Sequence, residues 1–353
     1  MTITFIFGNG FDIHLGLKTK YSQFLDVYTQ ETSEDDDEIK DFKQYLQNRE
    51  NRELWSDAEL GMGAYLGSFS DADLEKYVVR VRDFELKMFD YLQEQQNLVS
   101  YEEEEKIREV FSDFILSSYK DVLNRRMSEL NTDRGGNNSF RFISFNYTNL
   151  LDRLLTISAN SNGVLRKRRT GNWYYEDEYN KKVYHVHGDL ESQIIMGVND
   201  ESQLDLSGGV TLEDRLRRRL IKSIMNSQSG HDWDQPAKKV IASSDIIYIY
   251  GVSYGQTDAL WWEEIREWLL SEQEHKLVAF VRDSSGGFST PLPWEEVDYE
   301  EDKRREILKK LLVSEDYPQF EQLLNQIYII LNTTRLNLKD VLHPAERVVA
   351  AAI

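Results

Sequence analysis

A chain of 353 residues has room for one large α/β domain with insertions or for two modest ones, and its 7 Trp, 19 Tyr and 16 Phe exclude the disordered class. The absence of Cys excludes disulfide scaffolds, thiolate zinc modules and a cysteine nucleophile, which leaves the chemistry to oxygen and nitrogen groups. A formal charge of -20 repels phosphate backbones, so no nucleic acid is expected as a partner.

Ile3-Thr4-Phe5-Ile6-Phe7 is an apolar, β-branched and aromatic run that passes at once into Gly8-Asn9-Gly10-Phe11-Asp12. The pattern predicts a buried strand turning sharply into a helix. Without a β-carbon, Gly8 and Gly10 let an anion approach the backbone, and the N–H groups that open the following helix attract a pyrophosphate. Only two glycines of the three-glycine dinucleotide fingerprint are present, so the turn alone is a weak signal. The run is too short for a signal peptide or a membrane span and has no basic segment before it, which predicts a cytoplasmic protein without a membrane partner.

From about Ile39 to Met127 the composition is helical, with apolar residues recurring at a mostly three-residue spacing, as in Val78, Val81, Leu86, Phe89 and Leu92. Within it, Trp55-Ser56-Asp57-Ala58-Glu59 reads as a helix start capped by Ser56 or Asp57. Strand character returns at Phe140-Arg141-Phe142-Ile143-Ser144-Phe145 and ends at Asn146-Tyr147-Thr148-Asn149, before the apolar stripe Leu150, Leu151, Leu154 and Leu155. Asn146 and Thr148 are either helix caps or polar groups at the strand end where open parallel sheets bind ligands.

The basic patches Leu165–Arg169, in an expected loop, and Arg215–Arg219, in an expected helix, read as surface partners for the abundant carboxylates. Val183-Tyr184-His185-Val186-His187-Gly188 is a further strand whose alternation sets both histidines on one face. His187, at the strand end, is the candidate acid/base; a complete metal-ligand set is lacking beyond Asp189, and no metal is expected. Ile194–Val198 suggests a short extra strand, and the polar stretch from Glu201 to Pro236 suggests a mobile segment over the site.

Asp245–Tyr250 is the clearest buried strand, followed by Gly251-Val252-Ser253-Tyr254-Gly255-Gln256-Thr257-Asp258, with Asp258 as an expected cap for the helix from Ala259. Lys276–Val281 and Tyr328–Leu331 complete the strands. Ser284–Gly287 and Pro291–Pro293 have linker composition, and the terminal helices, including Val341–Ala352, suit packing or contacts in a homo-oligomer.

These elements predict an α/β protein: a Rossmann-like, mostly parallel sheet with helices on both faces and a large helical insertion after the first strand. Residues 1–20 and 135–335 form the expected nucleotide-binding core, 21–134 the helical insertion and 336–353 a C-terminal helical tail. In such a sheet the strand ends after Phe7, Phe145, His187 and Tyr250 share one edge, so polar groups distant in sequence meet there.

Gly8-Asn9-Gly10-Phe11-Asp12, Trp55-Ser56-Asp57-Ala58-Glu59, Phe145-Asn146-Tyr147-Thr148, His185-Val186-His187-Gly188 and Tyr250-Gly251-Val252-Ser253 with Asp258 resemble, in order, the AbiH family of bacteriophage abortive-infection proteins. That family in turn is distantly similar to the sirtuin-like NAD-binding fold. The resemblance implies that NAD is the substrate or ligand, with Gly8 and Gly10 cradling phosphate, Asn146 orienting the ribose or an attacking water, and His187 as acid/base. Gly251 and Ser253 would line the dinucleotide together with Asn9, Phe11, Thr148, Gly188 and Asp258, and Asp12 would hold ribose hydroxyls or stabilise a cation. Asp12 stands where sirtuins carry a small hydroxyl residue, Thr148 where they carry Asp, and the cysteine-bound zinc module is missing, so protein deacetylation is not expected. The implied function is an antiphage effector that hydrolyses NAD at the nicotinamide–ribose bond, with a phage-derived trigger or a partner defence protein as its counterpart. The alternatives are a nucleotide-sensing module without turnover and, less favoured by the charge, a metal-dependent nuclease using His185, His187 and Asp189.

Overall fold

The computed structural model describes all residues except 31, 33–34, 123, 132–135, 229–233, 283–291 and 344–353. Its seven strands are β1 Thr2–Phe7, β2 Asn138–Ser144, β3 Val164–Thr170, β4 Trp173–His185, β5 Ile246–Tyr250, β6 Lys276–Val281 and β7 Ile327–Leu331. They form one sheet in the order β3-β4-β2-β1-β5-β6-β7. All neighbours are parallel except β3 and β4, which form an antiparallel hairpin at one edge. With β3 set aside, the parallel strands counted among themselves run 3-2-1-4-5-6, the order of doubly wound sheets that bind ligands where the winding reverses. The reversal falls at β1, which pairs with β2 on one side and β5 on the other.

A central parallel strand is buried on both faces, and β1 meets that demand with apolar residues of both parities. Ile3, Phe5 and Phe7 face one core, where Phe5 stacks on Tyr248 at 4.5 Å and meets Phe114 of the helix Glu104–Ser117. Ile6, with Ile143, Ile247 and Ile249, faces the opposite core, covered by the helices Asp234–Ala242, Ala259–Ser271 and Pro293–Lys310. Thr4 shares that crowded interior, and its hydroxyl pairs with that of Ser244 at 2.6 Å.

The expected insertion is helical, and it divides between two cores. The helix Glu104–Ser117 packs on the sheet, whereas Phe24, Phe42, Trp55, Tyr65, Tyr77 and Phe84 build a third, aromatic core. That core also takes in Leu190, Met196, Val198, Leu216, Leu220 and Ile221 from beyond β4. In the helix Leu74–Asn97 the buried stripe runs through Tyr77, Val81, Phe84, Met88, Tyr91 and Leu92, while Leu86, expected in it, lies outside. The stripe turns on Tyr77 and Phe84, whose large rings fix which face of the helix is buried.

Several other expectations are corrected. Leu165–Arg169 lies in β3 rather than a loop, because Arg166 and Arg168 reach across the hairpin to the buried carboxylate of Asp177 at 2.8 and 2.9 Å. Arg217 and Arg219 pair with Glu201 and Glu85, the carboxylate pairing expected of this patch. Ile194–Val198 makes only two isolated bridges, Gly188 with Ile194 and Val198 with Ile221, so it is a looped chain rather than a strand. In the polar stretch from Glu201 to Pro236, expected as a segment over the site, Leu216, Leu220 and Ile221 are buried in the aromatic core. Ser284–Gly287 and most of Val341–Ala352 lie outside the described residues; the described end of the latter belongs to the short helix Lys339–Leu342. Among the described residues no helix is long and apolar enough to cross a membrane.

Candidate functional site

The carboxyl ends of β1, β2, β4 and β5 open on one cavity of about 660 Å³, roofed by the helical layer. Gly8, Asn9, Gly10 and Asp12 line it after β1, Asn146 and Thr148 after β2, His187 after β4, and Gly251, Ser253 and Asp258 after β5. The roof supplies Tyr21, Asp57, Glu59, Met88 and Leu92.

The two glycine turns are in direct backbone contact. A β-carbon on Gly10 would lie 2.6 Å from the Gly251 Cα, and one on Gly251, whose φ is +68°, would lie 2.4 Å from the Phe11 nitrogen. The Gly8 N–H donates to the Tyr250 carbonyl at 2.9 Å, the Gly10 N–H to the Gly251 carbonyl at 2.7 Å and the Phe11 N–H to the Gly8 carbonyl at 2.9 Å. These amides, expected to receive a phosphate, are therefore engaged within the protein, and the glycines first serve the close approach of β1 and β5. Asn9 is likewise engaged: its amide donates to the Thr19 carbonyl at 2.8 Å, and its oxygen accepts from the Thr19 hydroxyl.

Phe11 does not reach the cavity. The turn points it into the sheet core, where its ring packs on Phe7 at 4.6 Å. Gly188 is also absent from the lining; its φ of +70° and the Gln193 carbonyl, 1.7 Å from a β-carbon built there, make it a turn-former.

Asp12 is buried, 1% exposed, in the first turn of the helix Gly10–His14. Its Oδ1 accepts from Asn146 Nδ2 at 2.8 Å and its Oδ2 from the Thr148 hydroxyl at 2.6 Å. Burial pushes the carboxyl up to about 7, although the bonds from Thr148 and Asn146 and the charge of His185 pull the other way. Asn146 and Thr148 are thus not helix caps; Asn149 holds the cap position of Leu150–Ser158 and makes no side-chain capping bond. The remaining Asn146 oxygen is buried without a hydrogen bond among the described residues.

The two histidines do not share a face. β4 ends at His185, whose Nε2 lies 2.8 Å from Asp152 Oδ2 and whose Nδ1 lies 3.1 Å from the Asn146 carbonyl. Burial disfavours its charge, and the bond and charge of Asp152 outweigh that and raise the imidazole above its ordinary value. His187 lies past the strand end, beyond the reach of the alternation, at the edges of Phe145 and Tyr147. Its Nε2 stands 3.0 Å from Asp258 Oδ1, out of line for a hydrogen bond, so neither ring nitrogen makes one among the described residues. Asp189 turns to its own loop and accepts from the Glu191 and Ser192 amides. The trio His185, His187 and Asp189 therefore has three separate sets of partners, and no group of three or more candidate ligand side chains gathers among the described residues.

Asp258 does not cap its helix by a side-chain bond, because its carboxylate is held by Lys222 Nζ at 2.7 Å. Lys222 also donates to Glu59 Oε2 at 2.8 Å. Burial alone would raise Asp258, but Lys222 and His187 beside it hold the carboxyl well below the usual carboxylate range. For Lys222 burial opposes the charge, and the Glu59 and Asp258 carboxylates override it and raise the amine. Asp57 caps the helix Ala58–Tyr65 through the Leu60 N–H, as its sequence position implied, and burial together with Glu59 raises its carboxyl.

Sequence reasoning missed Lys222, and read Glu59 only as part of a helix start. The signal available was a single charge inside an apolar stretch: Lys222 in Leu220-Ile221-Lys222-Ser223-Ile224, and Glu59 in Ala58-Glu59-Leu60-Gly61-Met62. Charged residues in such settings are buried only when paired.

The fold and the cavity define a mostly parallel α/β protein with its polar site at the winding reversal of the sheet. A family model described as bacteriophage abortive infection AbiH matches residues 4–280. The chain belongs to that family, and through it to phage abortive infection. No curated protein matches the chain.

Proposed function

We propose that the protein is an antiphage effector that hydrolyses NAD at the nicotinamide–ribose bond. Water attacks the ribose C1′, the C1′–N bond breaks, and nicotinamide leaves with the bonding pair; the products are ADP-ribose, nicotinamide and a proton. Positive charge develops on the ribose as the bond breaks, so catalysis needs carboxylate or carbonyl oxygens nearby and a base for water or a ribose hydroxyl. The observation that carries this reading is His187, buried with both ring nitrogens free of hydrogen bonds, in one cavity with the Asp12–Asn146–Thr148 network.

In this reading His187 takes the proton, Asn146 presents its unpaired oxygen to the ribose or the water, and Asp12 supplies an oxygen pair beside the developing cation. The cavity volume lies within the roughly 300–1,000 Å³ of small-molecule sites. The test is chromatography of nucleotides from purified protein, and from cells expressing wild type or His187→Ala, with and without phage. NAD loss in wild type, reduced about 100-fold or more in His187→Ala, is the expected result. Wild type that binds NAD and leaves it intact with phage present overturns the hydrolase.

One observation favours sensing without turnover. The Thr148 hydroxyl hydrogen and one amide hydrogen of Asn146 are spent on Asp12, so both side chains are tied into the protein's own network. That reading predicts equal loss of NAD affinity in Asn146→Ala and His187→Ala, with no turnover in wild type.

A further inference from the structure

Four ionisable side chains, three of them buried and Asp258 partly so, form a continuous file from the helical roof to the sheet rim. Glu59 meets Lys222 at 2.8 Å, Lys222 meets Asp258 at 2.7 Å, and the same Asp258 oxygen meets His187 Nε2 at 3.0 Å. Glu59 and Lys222 come from the segments that build the aromatic core, and Asp258 and His187 follow β5 and β4. The file is therefore present only when the helical layer is seated on the sheet.

We propose that Lys222 and Asp258 are positioning residues for His187, fixing the imidazole in the tautomer that carries its proton on Nε2 and leaving Nδ1 as the basic atom. This rests on the hydrolase reading for its consequence, since it names the atom that would take the proton from water or ribose. Asp258 Oδ1 stands 3.0 Å from Nε2, and the negative charge facing that nitrogen favours hydrogen there over a lone pair, although the contact is not aligned as a hydrogen bond. Nδ1 has no partner among the described residues, and the ring lines the cavity.

Lys222 is what keeps Asp258 an acceptor. Without its charge, Glu59 and Asp258 become two buried carboxylates with no cation between them, and one of them gains a proton. A protonated Asp258 no longer turns negative charge toward Nε2, so the preference for hydrogen on that nitrogen is lost and Nδ1 is no longer held as the basic atom. Arginine at 222 keeps the charge, whereas methionine keeps only the length of the stem.

The experiment is long-range ¹⁵N–¹H NMR of the histidine rings in the full chain at about pH 8, where an unperturbed imidazole is neutral. Wild type, Lys222→Met and Lys222→Arg are compared, with His187→Ala assigning the signal among the 6 histidines. The expected result is a protonated Nε2 in wild type and Lys222→Arg, with that pattern lost in Lys222→Met. A wild-type ring protonated on Nδ1, or a folded Lys222→Met with the wild-type pattern, overturns the proposal. Should Lys222→Met not fold, the wild-type tautomer still decides. The spectra need no turnover, so an inactive wild type with the expected tautomer refutes the hydrolase and leaves this inference standing. Where NAD is cleaved, Lys222→Met lowers kcat with KM unchanged, and Lys222→Arg restores it.

Discussion

At the scale of single residues, the site sets two carboxyl groups of one cavity in opposite electrostatic states. Asp12 is desolvated with only neutral donors on its oxygens, while Asp258 has a lysine on its own. The displacement of Asp12 from 3.8 to about 7 corresponds to roughly 4 kcal/mol. Its folded form holds a proton that the unfolded form has released between those two values, so its contribution to stability falls as pH rises from about 4 to about 7 and is flat above. His185 has the same sign: its raised value contributes stability below the unfolded imidazole value, lost as pH rises through the folded one. Asp12→Asn removes the first effect and keeps the shape. Urea unfolding should find it more stable than wild type, with a gain at pH 8 exceeding that at pH 5 by on the order of 2–3 kcal/mol. A gain equal at the two pH values would mean that Asp12 is ionised throughout. None of this was legible in the sequence, which identified Asp12 as a site residue but not its partners. Asn146 and Thr148 are 134 and 136 residues away, and their local context favoured helix capping.

At the scale of elements, the sequence was most legible where one segment had to satisfy a strong local demand. β1, β2 and β5 are short apolar runs closed by polar or glycine residues, and each strand lies close to where its pattern placed it. The Gly8–Gly10 turn was also recognised, but its purpose depends on Gly251, more than two hundred residues later, whose carbonyl takes the Gly10 amide. β3 was missed because four successive basic residues have no strand signature until Asp177 is placed opposite them. The turn contact gives a direct prediction. Gly251→Ala combines a left-handed φ with a methyl driven into the Phe11 nitrogen, and should cost roughly 3 kcal/mol or more in chemical denaturation. Gly171→Ala is the matching control, since it too has a positive φ, +62°, but open space around its β-carbon, and should cost about 1 kcal/mol.

At the scale of the whole molecule, the helical layer and the sheet are stitched by segments far apart in the chain, which explains why domain limits are hard to read from composition. The aromatic core of Phe24, Phe42, Trp55 and Phe84 takes in Leu190, Met196, Val198, Leu216, Leu220 and Ile221 from beyond β4. A formal charge of -20 spread over such a molecule favours expansion by self-repulsion. The melting temperature should rise as salt increases from about 0.01 to 0.15 M, over which the screening length contracts from about 30 to 8 Å. A melting temperature that falls instead would identify the internal ion pairs, not net repulsion, as the dominant charge effect. Beside the cavity, Phe145 lies between the ring of His187 at 5.3 Å and that of Trp262, stacked at 5.4 Å, while the Trp262 indole N–H is tied to the Gly255 carbonyl. The Trp261 ring meets the same Phe145 at 5.8 Å, so a molecule settling against His187 should alter indole emission without a label, and Trp262→Phe together with Trp261→Phe should abolish that response.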